Sequence, residues 1–308
     1  MQAFIDFLAT ADLPEDCRRI FHGRGGRYPG AEHLCLDWYA PALLLTSFSE
    51  LSADDLAMAK AALEAFWQRV GQGAPLTWVY QYRSGSGTRT ECLCGELPDS
   101  HVIEEQGLKF RVHLMRGQNH GLFLDMREGR RFVHQHAKGK KVLNLFSYTC
   151  AFSVAALAGG ATEVVNIDMA KGALSIGKQN HELNGLVGGA RFLGHDIFSS
   201  WGKLTRYGPY DLVIADPPSN QKGSFIATKD YVRLLRRLPE LVKEGGDLLL
   251  CLNAPELGSD FLMSQVAETA PSLAFVSRIA NPAVYADVDE EKSLKVLHYQ
   301  KHTPAEDA

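Results

Sequence analysis

The sequence lacks the features that would place the chain in a membrane, outside the cell or among zinc proteins. It contains no run of about 18 apolar residues, which excludes a transmembrane helix. The stretch Met1–Thr10 has an acidic but no basic side chain, so it lacks the charged start of a signal peptide. The six cysteines have no paired metal-binding spacing and, without a secretion signal, are typical of reduced thiols. We therefore expect a cytoplasmic protein with no membrane contact and no bound metal.

A basic excess, the usual mark of a protein that binds nucleic acid, is also lacking. The 32 Lys and Arg residues face 36 Asp and Glu residues, which gives a formal net charge of -4. Residues 1–115 carry 10 basic and 15 acidic side chains, whereas residues 116–308 carry 22 and 21. Any contact with RNA must therefore come from local clusters. The glycine-rich loop 23–30 and the basic stretch 127–141 are two candidates, but a turn and a solvated face explain them at least as well.

The first part of the chain has the patterns of a small mixed domain. Residues 34–48 predict two short strands, and residues 53–70 repeat apolar side chains at helical spacing. Residues 76–82 predict a further strand, and residues 83–90 contain two glycines and predict a flexible loop. We therefore expect residues 1–115 to form a small α+β domain.

From Lys140 onward, short apolar runs that look like strands alternate with segments that look like helices. Such alternation predicts a parallel sheet with helices on both faces, so we expect residues 116–308 to form an α/β domain. The loop after its first strand lacks the G-x-G-x-x-G of a dinucleotide-binding fold, which argues against a dehydrogenase.

Polar residues follow four of these predicted strands, at the edge where α/β sheets bind ligands. They are the loop 144–150, Asp168, Asp196 and the segment 216–218, which is Asp-Pro-Pro. Asp168 is placed to accept hydrogen bonds from a ribose diol, and Asp196 from an adenine amino group while Ile197 packs on the ring. Either aspartate alone is also explained as a turn or helix cap. The four features in this order indicate a ligand site far more specifically than any one of them does.

The sequence resembles class I S-adenosylmethionine-dependent methyltransferases, and most closely the bacterial large-subunit 23S rRNA base methyltransferases of the cytosine-C5 and guanine-N7 type. Residues 117–127 are similar to the family's G-Q-x-x-G-x-F-L-D-x-R segment, and residues 142–149 resemble its first cofactor loop. The resemblance implies a Rossmann-like domain with a mainly parallel seven-stranded sheet, after a small domain for substrate or RNA recognition. It also implies that the PUA-type RNA-binding domain of many relatives is missing, since few residues precede Phe21.

The resemblance implies S-adenosylmethionine as cofactor and a base in RNA, in particular ribosomal RNA, as substrate. The implied cofactor-binding residues are Gln118, Asp125, Arg127, Asn144, Phe146, Ser147, Tyr148, Asp168, Met169, Asp196 and Ile197. The implied catalytic residues are Asp216, Pro217, Pro218 and Asn253. Within the first set, a guanidinium can pair with the methionine carboxylate through two hydrogen bonds, which is the role we expect for Arg127.

Three departures from the family pattern bear on the mechanism. Cys150 stands where most relatives have glycine, and Asn220 where relatives carry an aromatic that stacks on the target base, with Phe225 as the nearest substitute. Asn253 stands where cytosine-C5 enzymes have their nucleophilic cysteine, and Cys251 is expected to be a buried strand residue. This pattern favours direct in-line transfer to a ring nitrogen, with Asn253 and the aspartate of segment 216–218 holding the base.

Two other functions stay open at this stage. The acidic first domain favours a methyltransferase of the same fold that acts on a small molecule or a protein. The missing cysteine and the missing aromatic favour a module that binds cofactor or RNA without catalysis. The sequence also leaves a homodimer open.

Overall fold

The computed structural model describes residues 1–85, 87–221 and 223–302, and it divides the chain into two compact units. The N-terminal unit comprises Met1–Asp125 and Pro282–Glu290. The C-terminal unit comprises Met126–Asn281 and the described residues from Glu291 onward. The division falls ten residues later than the predicted boundary at 115/116, and the sequence pattern did not indicate that Pro282–Glu290 belongs to the first unit.

The N-terminal unit contains a five-stranded sheet in the order β1-β2-β3-β4-β5 and a separate hairpin, β6-β7. Its elements are α1 (Gln2–Thr10), β1 (Arg18–His22), β2 (Leu34–Tyr39), β3 (Ala42–Ser47), α2 (Ala53–Val70), β4 (Trp78–Ser84), β5 (Gly87–Cys94), β6 (Val102–Glu105) and β7 (Leu108–Arg111). The two strands predicted in residues 34–48 and the helix over 53–70 are confirmed. The loop predicted over 83–90 is wrong, because most of these residues belong to the antiparallel strands β4 and β5, in which Ser84 pairs with Gly87. Ser86, within that predicted loop, lies outside the described residues.

The strands of the C-terminal unit are β8 (Lys141–Leu145), β9 (Glu163–Ile167), β10 (Ala190–Leu193), β11 (Tyr210–Ala215), β12 (Asn220–Gln221), β13 (Phe225–Ile226), β14 (Val242–Leu252), β15 (Leu273–Ile279) and β16 (Lys295–Lys301). Seven of them form one sheet in the order β10-β9-β8-β11-β14-β16-β15, and β12 and β13 pair separately. Its helices are α3 (Arg127–His136), α4 (Ala151–Ala158), α5 (Lys171–Leu183), α6 (Trp201–Tyr207), α7 (Ala227–Leu235), α8 (Leu238–Leu241) and α9 (Ser259–Thr269). The strands from β10 to β14 run parallel, and β16 alone runs antiparallel to its two neighbours, β14 and β15, which confirms the Rossmann-like α/β fold with its mainly parallel sheet.

The chain order of the strands reverses at the centre of this sheet. From β8 the chain moves outward through β9 to β10 and then returns to place β11 on the other side of β8. In open α/β sheets, a ligand binds in the crevice that such a reversal leaves at the carboxyl ends of the strands. The segments that follow β8 and β11 are therefore the first place to look for a site.

Alternate side chains of the central strands enter two different apolar layers, as the pleat of a strand requires. Leu143 and Leu145 lie in one layer, and Val142 lies in the other together with Phe152 of α4. Cys251 of β14 is fully buried in this second layer, as predicted. None of the described helices combines the length and apolar composition needed to cross a bilayer.

Candidate active site

The loop 144–150, between β8 and α4, has an unusual backbone. Phe146, Tyr148 and Cys150 have φ values of +56°, +45° and +61°, in the left-handed region. Residues other than glycine pay roughly 1–2 kcal/mol each for this conformation. Hydrogen bonds within the protein hold this backbone, since the N–H groups of Ser147 and Cys150 donate to the carbonyls of Ile167 at 3.1 Å and Ser147 at 2.7 Å. Strain of this kind clusters at ligand-binding sites, where the surrounding structure maintains it.

Cys150 fits this loop because the residue that faces it is a glycine. The Cys150 side chain is fully buried, and a Cβ atom added to Gly177 of α5 would lie only 2.6 Å from its Sγ. Burial raises the pKa of the Cys150 thiol to about 12, so the thiol stays neutral at physiological pH. A neutral, fully buried thiol is neither a nucleophile nor a base, so this departure from the family pattern concerns packing.

Asp168, directly after β9, is bonded to the loop after β8. Its Oδ2 accepts a hydrogen bond from the backbone N–H of Tyr148 at 2.8 Å, and its Oδ1 accepts one from the backbone N–H of Ala170 at 2.8 Å. The second bond closes a local turn, so Asp168 does act as the turn residue that its sequence position also allowed. Because each carboxylate oxygen can accept a further hydrogen bond, the half-buried carboxylate keeps the capacity to bind a diol. Met169 beside it is 52% exposed.

Asp196, after β10, begins a turn in the same way. Its Oδ2 accepts a hydrogen bond from the backbone N–H of Ser199 at 3.0 Å, and its Oδ1 lies 3.4 Å from the backbone nitrogen of Phe198. Ile197 is only 3% exposed and packs in the core. The roles expected for Asp196 and Ile197 at an adenine ring therefore stay predictions.

The segment after β11 and the segment after β14 are linked by a hydrogen bond. Ser219, which follows Asp216-Pro217-Pro218, donates its hydroxyl hydrogen to the backbone carbonyl of Asn253. The two parent strands are parallel neighbours, so both segments leave the sheet at the same edge. Asp216 is half-buried and Asn253 is exposed. The structure thus brings together the two segments that carry the predicted catalytic residues.

The suggestion that Phe225 replaces the missing stacking aromatic is wrong. Phe225 is 1% exposed, and its ring packs between Phe146, Phe198 and Tyr231, with centroid distances of 5.3, 6.3 and 5.4 Å. Its face is therefore covered by other rings of the core. Asn220, at the position of the expected aromatic, is exposed in the short strand β12.

Lys295 is a further residue at this edge, and no sequence pattern indicates its position here. It is fully buried at the start of β16, and its Nζ donates hydrogen bonds to the backbone carbonyls of Ala254 and Glu291, each at 2.8 Å. The bond to Ala254 fixes the chain one residue after Asn253. The lysine stands between Leu294 and Val296, so its neighbours indicate only a strand.

Asn144, near the end of β8, leaves a buried acceptor without a partner. It is 1% exposed, and its Nδ2 donates to Oδ1 of Asn166 on the neighbouring strand β9 at 2.9 Å. Its own Oδ1 makes no hydrogen bond, although that atom is buried. Buried polar atoms without partners are rare in folded proteins and call for an explanation, such as a ligand.

The basic stretch 127–141 carries less free charge than its sequence indicates. Arg131 pairs with Glu128 at 3.2 Å, and Arg130 is 3% exposed. The two lysines at its end also have acidic partners in the sheet, with Lys140 2.7 Å from Asp247 and Lys141 3.2 Å from Glu163. A solvated, internally paired face describes this stretch better than a phosphate-binding surface. Arg127, at the start of α3, is half-buried.

Gln118 and Asp125 belong to the N-terminal unit, whereas the other nine predicted cofactor residues belong to the C-terminal unit. Gln118 is exposed, and its backbone carbonyl accepts a hydrogen bond from Arg83 of β4 at 2.5 Å. The carbonyl of Gly117 accepts one from Gln81 at 3.0 Å. Two side chains of β4 thus fix the backbone of the segment that resembles the family motif.

Comparisons with known proteins identify the family of this chain. The chain matches the S-adenosylmethionine-dependent methyltransferase family over residues 18–300. It is 31% identical over 264 residues to the ribosomal RNA large subunit methyltransferase I of Aeromonas salmonicida, which covers 78% of this chain and 67% of that protein. It is 31% identical over 275 residues to the protein of the same name from an Enterobacter species, with coverages of 87% and 68%.

Solved structures of methyltransferases also resemble this chain in fold. A putative SAM-dependent methyltransferase from Streptococcus mutans superimposes with a TM-score of 0.81 at 26% identity, covering 97% of this chain and 81% of that one. SMU.776, a putative methyltransferase complexed with SAH, gives a TM-score of 0.80 at 27% identity, with coverages of 92% and 75%. The chain therefore belongs to the S-adenosylmethionine-dependent methyltransferase family, as a class I member related to the ribosomal RNA large-subunit methyltransferases, and its cofactor is S-adenosylmethionine.

Proposed function

We propose that this enzyme methylates a base of ribosomal RNA by direct in-line transfer, without a covalent bond between enzyme and base. Two relatives named as ribosomal RNA large subunit methyltransferases support the substrate class. The observation that carries the mechanism is the position of Cys251, which is fully buried within β14, while the exposed residue at the end of that strand is Asn253. Action on ribosomal RNA would place the enzyme in the cytoplasm.

The donor and acceptor groups after β8 and β9 fit the cofactor. S-adenosylmethionine has hydrogen-bond donors in its ammonium group and its ribose diol. The unpaired Oδ1 of Asn144 and the carboxylate of Asp168 supply acceptors for both. We assign the ammonium to Asn144, the ribose to Asp168 and the methionine carboxylate to Arg127. Met169, Asp196 and Ile197 would border the adenine, and the remainder of loop 144–150 would complete this part of the pocket.

When bound, the cofactor supplies an electrophilic methyl group on a sulfonium. The task of the protein is then to align a base with that methyl group. Asp216 and Asn253 are suited to hold the base by hydrogen bonds, since a carboxylate accepts from base N–H groups and a carboxamide both donates and accepts. Pro217 and Pro218 restrict the backbone of the segment that carries Asp216. A ring nitrogen such as guanine N7 has its own lone pair and needs no covalent activation.

Methylation of cytosine C5 would need a different residue at this edge. That reaction requires a thiolate that adds to the ring before the methyl group is transferred. Cys251 lies inside an apolar layer, and its backbone carbonyl accepts the hydroxyl hydrogen of Tyr231 from the core. Exposing its Sγ to a base would require β14 to leave the sheet. The buried position therefore favours transfer to nitrogen.

The proposal is tested by incubating the enzyme with labelled S-adenosylmethionine and ribosomal RNA that lacks its own modifications, and then identifying the labelled nucleosides. We expect labelled 7-methylguanosine. Labelled 5-methylcytidine would support the substrate class and overturn the mechanism. An absence of label in RNA and in assembled ribosomal subunits, with cofactor binding intact, would contradict the proposal and favour a small-molecule or protein substrate.

A further inference from the structure

Four buried polar side chains form a chain of hydrogen bonds beside the cofactor loop, in an otherwise apolar part of the C-terminal unit. Asn144 of β8, Asn166 of β9, Ser153 of α4 and His181 of α5 are each no more than 3% exposed. Each of them contacts the next, over distances of 2.9, 3.0 and 2.8 Å. Burying four polar residues is costly unless their hydrogen bonds are made, so their arrangement needs a reason.

The orientation of the Asn166 amide follows from its backbone partner. Its Nδ2 is 3.2 Å from the carbonyl oxygen of Arg191 and 3.0 Å from the Ser153 hydroxyl. A carbonyl oxygen only accepts, so this end of the amide must be the NH₂ group. The Oδ1 of Asn166 therefore faces Asn144, and only the Nδ2 of Asn144 can meet it. The Oδ1 of Asn144 is the atom left over.

The tautomer of His181 follows in the same way. Its Nδ1 is 2.7 Å from the backbone carbonyl of Gly177, so Nδ1 must carry the proton. Its Nε2 is 2.8 Å from Ser153 Oγ, and in the neutral ring Nε2 accepts the hydroxyl hydrogen. The serine oxygen is then free to accept from Asn166. Burial lowers the pKa of His181, which keeps the ring neutral at physiological pH.

We infer that His181 is a positioning residue for the cofactor site. By keeping the Ser153 oxygen an acceptor, it acts together with the Arg191 carbonyl to hold the Asn166 amide, and through it the Asn144 amide, so that the oxygen of Asn144, and not its nitrogen, is offered to the ammonium group of the cofactor. This inference rests on the proposed role of Asn144. A reversed amide would present NH₂ to a cation, lose one hydrogen bond and leave a buried group unpaired. The four residues together thus select the acceptor orientation before the cofactor arrives.

Helix α5 also holds the backbone of the cofactor loop through an independent contact. The Nδ2 of Asn180, the residue before His181, donates to the carbonyl oxygen of Thr149 at 3.0 Å, and Asn180 is fully buried. Two neighbouring residues of one helix therefore set the loop backbone and the Asn144 side chain.

The test compares two substitutions of His181 by titrating the full chain with S-adenosylhomocysteine in a calorimeter. His181→Phe keeps an aromatic ring but removes the acceptor for Ser153, whereas the side-chain oxygen of His181→Gln can replace it. We expect the dissociation constant to rise about tenfold in His181→Phe, the effect of about one hydrogen bond, and to return close to the wild-type value in His181→Gln. The exposed residue His134, changed to Phe, is the matched control and should bind normally.

A double substitution separates the inference from the function on which it rests. In an Asn144→Ala background, His181→Phe should weaken binding no further, because the amide that it orients is gone. Wild-type affinity in Asn144→Ala would overturn the cofactor role of Asn144 and the inference with it. A weakened Asn144→Ala variant in which His181→Phe adds its full effect would overturn only the inference.

The wild-type protein offers a measurement that does not depend on any variant folding. A two-bond ¹H–¹⁵N correlation spectrum distinguishes the two neutral tautomers of histidine. We expect the His181 ring to carry its proton on Nδ1. A proton on Nε2, or a ring that is protonated at pH 7.5, would reverse the hydrogen-bond directions and overturn the inference.

Discussion

The backbone N–H of Tyr148 donates a hydrogen bond to Oδ2 of Asp168 over 2.8 Å, and this contact joins the ends of β8 and β9. Tyr148 is one of the three left-handed residues in loop 144–150. The carboxylate thus stabilises the strained backbone beside it, and it also offers acceptors to a ligand. A second bond supports the same junction, since the N–H of Ser147 donates to the carbonyl of Ile167 at 3.1 Å.

Replacing Asp168 with Ala should lower the affinity for S-adenosylhomocysteine by about 10- to 100-fold, the range expected when charge-assisted hydrogen bonds are lost. Asp168→Asn should fall between this variant and the wild type, because its single oxygen can satisfy only one of the two sets of partners. Isothermal titration calorimetry measures both constants. Equal affinity of wild type and Asp168→Ala would remove Asp168 from the cofactor site.

Cys251 and Asn253 should respond in opposite ways to substitution. Cys251→Ala should leave kcat within about twofold of the wild type, and it should lower the free energy of unfolding by about 1 kcal/mol through the small cavity in the second apolar layer. Asn253→Ala should lower kcat by about 10- to 100-fold and leave the affinity for S-adenosylhomocysteine unchanged. Single-turnover methyl transfer and urea denaturation measure these effects. Loss of activity in Cys251→Ala with intact cofactor affinity would restore the covalent mechanism.

The sequence predicted that three acidic residues of the candidate site follow the ends of parallel strands. Asp168, Asp196 and Asp216 each follow a short apolar run, and all carboxyl ends of parallel strands reach the same edge of the sheet. The positions of these residues therefore depend on local pattern and on one rule of topology.

Contacts between distant segments could not be predicted in this way. Ser219 and Asn253 are 34 positions apart, and Lys295 and Ala254 are 41 apart. Nothing in the local sequence pairs them, because each contact depends on how the segments after β11 and β14 and the start of β16 pack. The placement of segment 282–290 with the N-terminal unit is of the same kind, since Tyr285 packs on Arg19 and the N–H of Val288 bonds to Gly25.

The stability of the C-terminal unit should depend on the ionisation of Asp247. Burial alone would raise the pKa of this carboxyl, but hydrogen bonds from His298 at 2.9 Å and Lys140 at 2.7 Å outweigh that effect and lower it. A lowered carboxyl pKa stabilises the fold above the unfolded value near 3.8, and this stabilisation is lost as the pH falls through the folded value.

The difference in unfolding free energy between wild type and Asp247→Asn should therefore be largest near neutral pH and shrink below about pH 4. Urea denaturation at pH 7 and pH 3.5 measures it. Asp99→Asn, which removes the same charge from an exposed position in the N-terminal unit, serves as the control. A difference that stays constant over this range would show that the hydrogen bonds to Asp247 do not favour its charged form.

The pairing of Cys150 with Gly177 should appear as a coupling between two substitutions. Gly177→Ala places a Cβ atom 2.6 Å from Cys150 Sγ and 3.2 Å from the Thr149 carbonyl oxygen, so we expect a loss of about 1–3 kcal/mol in the free energy of unfolding. Cys150→Gly removes the first clash and suits the φ of +61° at that position. The double variant should therefore lose less unfolding free energy than the two single variants lose together. Urea denaturation of all four proteins gives the coupling energy, and strictly additive losses would show that the cysteine and the glycine do not depend on each other.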